Sequence, residues 1–314
     1  MEEIQDFKRI FFQEAGLELR TRVSLAEYSN FRIGGPADYF FEAHHLSHLK
    51  KAVETARKYR LPFYVIGGGY NLLFDDSGYN GLIIRNLAGG MNFLSEKGLL
   101  EVLSGTFLSE VINLTISRGL SGLEFLAGIP GTTGGAIYGN AGAFGQAIGE
   151  RLAEVVVLGE KGNEIILKRN ELNFNYRHSD FKKEHRVILK AYLRVAPDSS
   201  LEIKKKVSDY LEKRLKKHPP RETACAGSFF KNPVLLNGQK IAAGYLLEKA
   251  GAKGMKVGEA TVFPGHCNFI INLGRATARD VLALAAELKE KVWESCGLLL
   301  EEEVIYVPAT ASMI

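Results

Sequence analysis

Cysteine is scarce in this chain. The three thiols, Cys225, Cys267 and Cys296, are odd in number and far apart. With no C-x-x-C pair and no Cys/His ligand spacing, neither a disulfide framework nor a metal site is expected. Reduced thiols fit a cytoplasmic protein. A strong excess of one charge is also missing. The net charge is only +4, with no basic arm, so nucleic acid is not an expected partner, although the slight excess suits an anionic small ligand. The N-terminus, MEEIQDFKRI, lacks the apolar core of a secretory signal. No membrane span is expected either. The one long uncharged stretch, Phe125–Gly149, contains eight glycines, Pro130 and Asn140, which would break a continuous spanning helix. It is expected to be backbone-rich loop packed against other structure.

What is present is enough chain, 314 residues, for two domains with cores of their own. Phe7, Ile10, Phe11 and Phe12 predict a short amphipathic helix near the N-terminus. Ala37–Ala43 reads as a strand and Leu46–Arg60 as a helix with Leu49, Ala52, Val53 and Ala56 on one face, ended by Pro62. Short β-like runs follow: PFYVI, GLIIRNL, LLEVLSG, EVVVLGE, NEIILKR and HRVILKAYLRV. Ser109–Gly119 looks helical between them. The composition shifts near Ala196–Ser200, and a basic amphipathic helix follows with Ile203, Val207, Leu211 and Leu215 on one face. The expected division is residues 1–198, split near 90–100, then 199–308, with 309–314 as a tail. Thr277 and Asp280 form a capping-box start for a helix carrying Val281, Leu284, Leu288 and Val292, and LLLEEEVIYV reads as a closing strand.

Three glycine clusters stand out: FRIGGPAD, IGGGYNLL and GIPGTTGGAIYGNAG. Gly67, Gly68 and Gly69 follow a predicted strand, where bare amides can approach a pyrophosphate. No G-K-[ST] occurs, and no helix follows these glycines, so neither a Walker loop nor a Rossmann turn is predicted. Tight β turns would explain any one cluster; three in one domain favour a large phosphorylated ligand.

In order along the chain, NFRIGGPADYF, VIGGGYNLLF, GIPGTTGGAIYGNAGAFG, NYRHSDF, CAGSFFKNP and LEEEV resemble the UDP-N-acetylenolpyruvoylglucosamine reductases. The resemblance runs from about Ser24 to Val307. It implies an α+β protein: an FAD-binding domain of the vanillyl-alcohol-oxidase type, built from two α/β subdomains, plus a C-terminal α/β substrate-binding domain. It further implies bound FAD, NADPH as co-substrate, a nucleotide-sugar substrate, reduction of an enolpyruvyl ether to UDP-N-acetylmuramate for peptidoglycan, and a monomer. No histidine lies in the glycine clusters, so the flavin is expected to be held without a covalent bond.

Carried over by residue, the loop Ile66, Gly67, Gly68, Gly69, Tyr70 and Asn71 resembles the FAD pyrophosphate loop. A second wall would come from Gly128, Pro130, Gly131, Thr132, Thr133, Gly134, Gly135, Asn140 and Gly142. Arg177 resembles the active-site arginine, Ser228 the proton donor and Glu303 the C-terminal glutamate, either as an orienter of Arg177 or as a neutral donor. Lys217, Asn232 and His266 fall where substrate contacts are expected. Two departures bear on this. Glu301, Glu302 and Glu303 run together, and strand alternation would put Glu301 and Glu303 on one face, so Glu301 stands as the alternative glutamate. The segment between Arg177 and Ser228 is short, as in the subgroup lacking an extra tyrosine-bearing loop.

Overall fold

The computed structural model describes residues 2–184, 186–235 and 238–310. A four-stranded sheet is ordered Arg20–Ser24, Pro36–Ala43, Tyr79–Asn86, Phe63–Ile66. Its first pair is antiparallel and the other two are parallel. The helix Leu46–Lys58 makes the crossover that parallel strands require. Its Leu49, Ala52, Val53 and Ala56 are all buried, as the spacing predicts. The helix stops at Lys58, with Arg60 at φ 53°, before Pro62 is reached. In the N-terminal helix Glu2–Ala15 the buried stripe is narrower than predicted: Phe7 and Phe11 are buried, whereas Phe12 is exposed.

A five-stranded antiparallel sheet follows, in the order Glu164–Lys168, Leu152–Leu158, Val187–Arg194, Leu99–Leu103, Met91–Leu94. Val156, Leu158, Val187 and Leu189 on one face pack against Phe41, Leu82 and Ile84 of the first sheet, so the two sheets share a core. The other face is covered by the helix Leu108–Arg118, which ends at Gly119 in the left-handed conformation. Ile203 and Val207 of the helix Ser200–Leu215 join this second core. The predicted stripe runs out early, because Leu215 is exposed.

Within Phe125–Gly149 the expected loop gives way to a helix, Thr133–Gly139. Three glycines in a helix weaken it, but here close packing demands one of them: a Cβ on Gly134 would stand 2.9 Å from Ser104 Cβ.

The C-terminal unit packs the helix Ala278–Cys296 on the antiparallel strands Lys256–Val257, Ala260–Val262 and Ile270–Asn272. Val281, Leu284, Leu288 and Val292 are completely buried. The capping box is formed: Thr277 Oγ1 accepts from Asp280 N at 3.0 Å, and Asp280 Oδ2 accepts from Thr277 N at 3.0 Å. Asp76, from the N-terminal half, adds a second cap by accepting from Ala278 N at 2.7 Å. Phe31, Ile33 and Leu73 are buried in this same core. The closing strand is shorter than LLLEEEVIYV predicts. Only Ile305–Val307 is regular, paired in parallel with Leu72–Phe74, while Glu302 makes a lone bridge to Phe230. The chain thus returns to its first domain and leaves Glu301–Val304 draped along the Phe229–Phe230 backbone.

Candidate functional site

A cavity of about 2180 Å³ runs from the glycine loops to the C-terminal unit. Small-molecule sites usually occupy ~300–1,000 Å³, so this one has room for a dinucleotide and a second ligand together.

The glycines of the first wall are needed for close approach. A Cβ on Gly67 would lie 2.3 Å from Thr132 Oγ1, and one on Gly69, at φ +71°, would lie 1.8 Å from the Tyr28 carbonyl oxygen. Gly69 O accepts from Asn30 N at 3.1 Å, which fixes the loop from outside. The second wall is stitched to the turn before the helix Leu108–Arg118: Leu108 N donates to Gly131 O, Thr133 N to Thr106 O and Gly134 N to Ser104 O, at 2.8–2.9 Å. Ile66–Asn71, Gly128, Pro130, Gly131, Thr132, Gly134, Gly135 and Gly142 all border the cavity. Thr133 is completely buried, and its hydroxyl bonds Thr106 O at 3.1 Å. Asn140 holds a left-handed helix cap and bonds Asn175 O and Gly149 N. These two shape the wall from behind.

At the other end, Arg177 sits in the turn between the short strands Phe174–Asn175 and His178–Ser179, at φ 55°. A non-glycine residue there costs about 1–3 kcal/mol and persists only when its surroundings fix it. Several contacts do so. Asn140 Nδ2 donates to Asn175 O at 2.7 Å, Ser179 Oγ donates to Tyr138 O at 2.7 Å, and Tyr176 OH accepts from Asn232 N at 3.3 Å. Arg177 Nε then lies 2.6 Å from Glu303 Oε1. Its N–H is not aligned on that oxygen, so the contact is an ion pair rather than a formed hydrogen bond. Burial pushes the Glu303 carboxyl above the usual glutamate range, and Arg177, Lys182 and Lys231 pull it back.

Glu303 N donates to Phe229 O at 2.8 Å and Lys231 N to Glu301 O at 2.8 Å, which draws Ser228 and Glu303 to one edge of the cavity. Among the described residues the Ser228 hydroxyl has no hydrogen-bond partner, so it is not closing a turn on its own backbone. The three glutamates go separate ways: Glu301 reaches outward to Lys231, Glu302 pairs with Lys289, and Glu303 turns inward. Asn71 links the two ends of the site. Its Nδ2 donates to Glu303 O at 3.0 Å, and its own carbonyl accepts from Ile305 N.

The other predicted contacts do not border the cavity. Lys217 is exposed. Asn232 Oδ1 accepts from Ala243 N at 2.9 Å. His266 Nδ1 accepts from Asn268 N, and its ring lies 5.0 Å from that of Phe269. Residues that sequence reasoning passed over do border the cavity or support its wall. Arg214 lines the cavity; its Nε is buried with no partner among the described residues, and its guanidinium lies over the Phe144 ring. Its place in the last turn of the helix Ser200–Leu215, three residues before Lys217, was the available signal. His218 also lines the cavity; its residue surface is exposed, but partial desolvation of the ring, followed by the charge of Arg214, lowers its pKa to about 4. Asn268 is buried and clamps the Phe230 backbone from both sides, at 2.9 and 2.8 Å. Nothing in its sequence neighbourhood marks it.

Among the described residues no helix is long and apolar enough to cross a membrane, and no group of three or more His, Cys, Asp or Glu could hold a metal ion. A family model described as "FAD binding domain" matches residues 37–167, and one described as "UDP-N-acetylenolpyruvoylglucosamine reductase, C-terminal domain" matches 218–307. The UDP-N-acetylenolpyruvoylglucosamine reductase of Chlamydia abortus is 39% identical over 290 residues, covering 92% of this chain and 95% of that protein. The enzyme of that name from Carboxydothermus hydrogenoformans is 40% identical over 283 residues, covering 90% and 92%. The crystal structure of UDP-N-acetylenolpyruvylglucosamine reductase from Thermus caldophilus matches with a TM-score of 0.77 at 33% identity, covering 92% of this chain and all of that one.

Proposed function

The chain belongs to the UDP-N-acetylenolpyruvoylglucosamine reductase family, FAD oxidoreductases of peptidoglycan precursor synthesis, and from that premise we propose how its residues divide the work. The observation that carries the reading is one continuous cavity joining a glycine cradle to the Arg177–Glu303 pair and the unbonded Ser228 hydroxyl. FAD is assigned to the cradle because Gly67 and Gly69 leave no room for a Cβ against Thr132 and Tyr28, so the loop that borders the cavity is bare backbone that a pyrophosphate could approach. When bound, FAD would supply the redox chemistry, taking reducing equivalents from NADPH and delivering a hydride to the methylene carbon of the enolpyruvyl group.

This chain's residues handle the charge and the proton. Negative charge builds on the carbon that bears the carboxylate. Arg177 binds that carboxylate as a fixed, permanently charged cation, and Glu303 orients its guanidinium. Ser228 Oγ–H gives its proton to the same carbon, completing the addition of one hydride and one proton across the double bond. The serine alkoxide then regains a proton from water as product leaves. Such a proton donor is effective because a carbanionic centre is a far stronger base than an alkoxide.

The test is anaerobic stopped-flow spectroscopy of the FAD-loaded enzyme. NADPH is expected to bleach the flavin, and the enolpyruvyl nucleotide to restore its colour. Denaturation is expected to release all the flavin from the chain. A colourless protein that takes up no FAD, or flavin retained on the denatured chain, would falsify the reading. Gly69→Ala probes the cradle separately. Its new Cβ would meet the backbone oxygen of Tyr28, which cannot step aside. FAD affinity is expected to fall by about tenfold or more, the equivalent of ~1.4 kcal/mol, as read by flavin fluorescence titration.

A further inference from the structure

Lys182 is a cation inside the site for which the reading above gives no task. It follows Phe181, whose completely buried ring anchors the short helix Phe181–Glu184 in the second core. Asp180 secures the start of that helix by accepting from Asn173 N at 2.8 Å and from Asn173 Nδ2 at 3.1 Å. Lys182 is therefore aimed by packed structure. Its side chain borders the cavity, its Nζ donates to Arg177 O at 3.0 Å, and its ammonium lies 6.0 Å from the centre of the Tyr138 ring.

We propose that Lys182 is the positioning residue of the active-site pair: its bond to the Arg177 carbonyl locks the turn that aims the guanidinium at Glu303 and the substrate carboxylate. The proposal rests on the function inferred above and deepens it. The turn needs such a lock, because Arg177 sits at φ 55° and the paired strands on either side are only two residues long. The contacts on Asn175, Tyr176 and Ser179 hold the flanks of the turn. The bond from Lys182 is made to Arg177 itself.

Electrostatics give Lys182 a second effect. The charged groups facing Glu303 are Arg177 from the turn, Lys182 from the helix Phe181–Glu184, and Lys231 from the segment after Ser228. Lys231 is shared with Glu301, which accepts from it at 2.8 Å. Lys182 is held below the usual lysine range by burial first and then by Lys231, with Glu303 opposing and Arg177 adding to the drop. A cation kept in so unfavourable a place serves the carboxylate it faces. Without it, Glu303 would hold its proton to higher pH and pair with Arg177 less completely.

The test compares Lys182→Met and Lys182→Arg in the FAD-loaded enzyme. For Lys182→Met, flavin reduction by NADPH is expected to stay near the wild-type rate. Reoxidation by the enolpyruvyl nucleotide is expected to slow by about 10- to 100-fold, the scale of a misplaced catalytic group. The acid limb of the pH profile for reoxidation is expected to move to higher pH, and Lys182→Arg to recover part of both losses. Reoxidation within about twofold of wild type with an unmoved acid limb overturns the proposal. So does an equal loss in both half-reactions with lowered FAD occupancy, which marks a merely structural lysine. Failure of the parent reading looks different, because wild-type enzyme would then not be reoxidised by the nucleotide at all, and the proposal would fall with it.

Discussion

Ser228→Ala is expected to leave NADPH reduction of the flavin near its wild-type rate and to slow reoxidation by the enolpyruvyl nucleotide by about 10²–10⁴-fold, the range for loss of a general acid. The selectivity follows from where the hydroxyl stands. It borders the cavity and has no hydrogen-bond partner among the described residues, so its removal leaves no orphaned partner and no broken turn. The backbone around it is held independently. Phe229 N donates to Asn268 O, Phe230 N to Asn268 Oδ1, and Glu303 N to Phe229 O. The alanine variant should therefore fold and bind FAD normally, and what disappears is the proton. In deuterated solvent the wild-type enzyme is expected to show a solvent isotope effect on reoxidation, in line with proton delivery by an exchangeable O–H. If both half-reactions survive the substitution, Ser228 is not the acid. If both collapse together with FAD occupancy, the serine is structural.

How much of this was legible in the sequence depends on which interactions decide each element. Leu46–Lys58 and Ala278–Cys296 were readable because local signals agree: apolar residues recur at helical spacing, and Thr277, Asp280 and Gly297 mark the ends of the second. The segment LLLEEEVIYV was not, because its hydrogen bonds go to a distant partner. Glu303 N and Val304 N both turn to the single carbonyl of Phe229, which interrupts the ladder that β propensity predicts. The same contact explains the glutamates. Alternation makes Glu301 and Glu303 equivalent, but Glu301 stays exposed and ends on Lys231 while Glu303 turns in to Arg177. Lys182 and Asn268 were invisible for a related reason. Each is defined by a backbone carbonyl it holds, on Arg177 or Phe230, and that relation exists only after folding.

Arg177→Met is expected to have a cost in both rate and stability, and the pH dependence separates them. For the rate, losing a preorganised cation opposite developing charge should slow reoxidation by about 10²–10³-fold. For stability, Glu303 loses its partner at 2.6 Å while its side chain stays only 20% exposed. Breaking a buried pair costs about 3–5 kcal/mol, and the residual exposure of both side chains puts this one near the lower end. Burial already raises the Glu303 carboxyl, with Arg177 as the largest opposing influence. In the variant the folded-state pKa therefore climbs further above the unfolded value. Below the unfolded value the carboxyl is neutral in both states, and the loss should be small. As pH rises toward the folded value, the unfolded chain sheds this proton while the native state keeps it, so stability falls. The gap in denaturant midpoint between variant and wild type should thus widen as pH rises through and above the usual glutamate range. Adding Glu303→Gln should close most of that gap, because the amide has no charge to strand, yet leave reoxidation slow. A gap that does not change with pH, or one the double variant retains, would show that Arg177 stabilises the fold through its packing and not through Glu303.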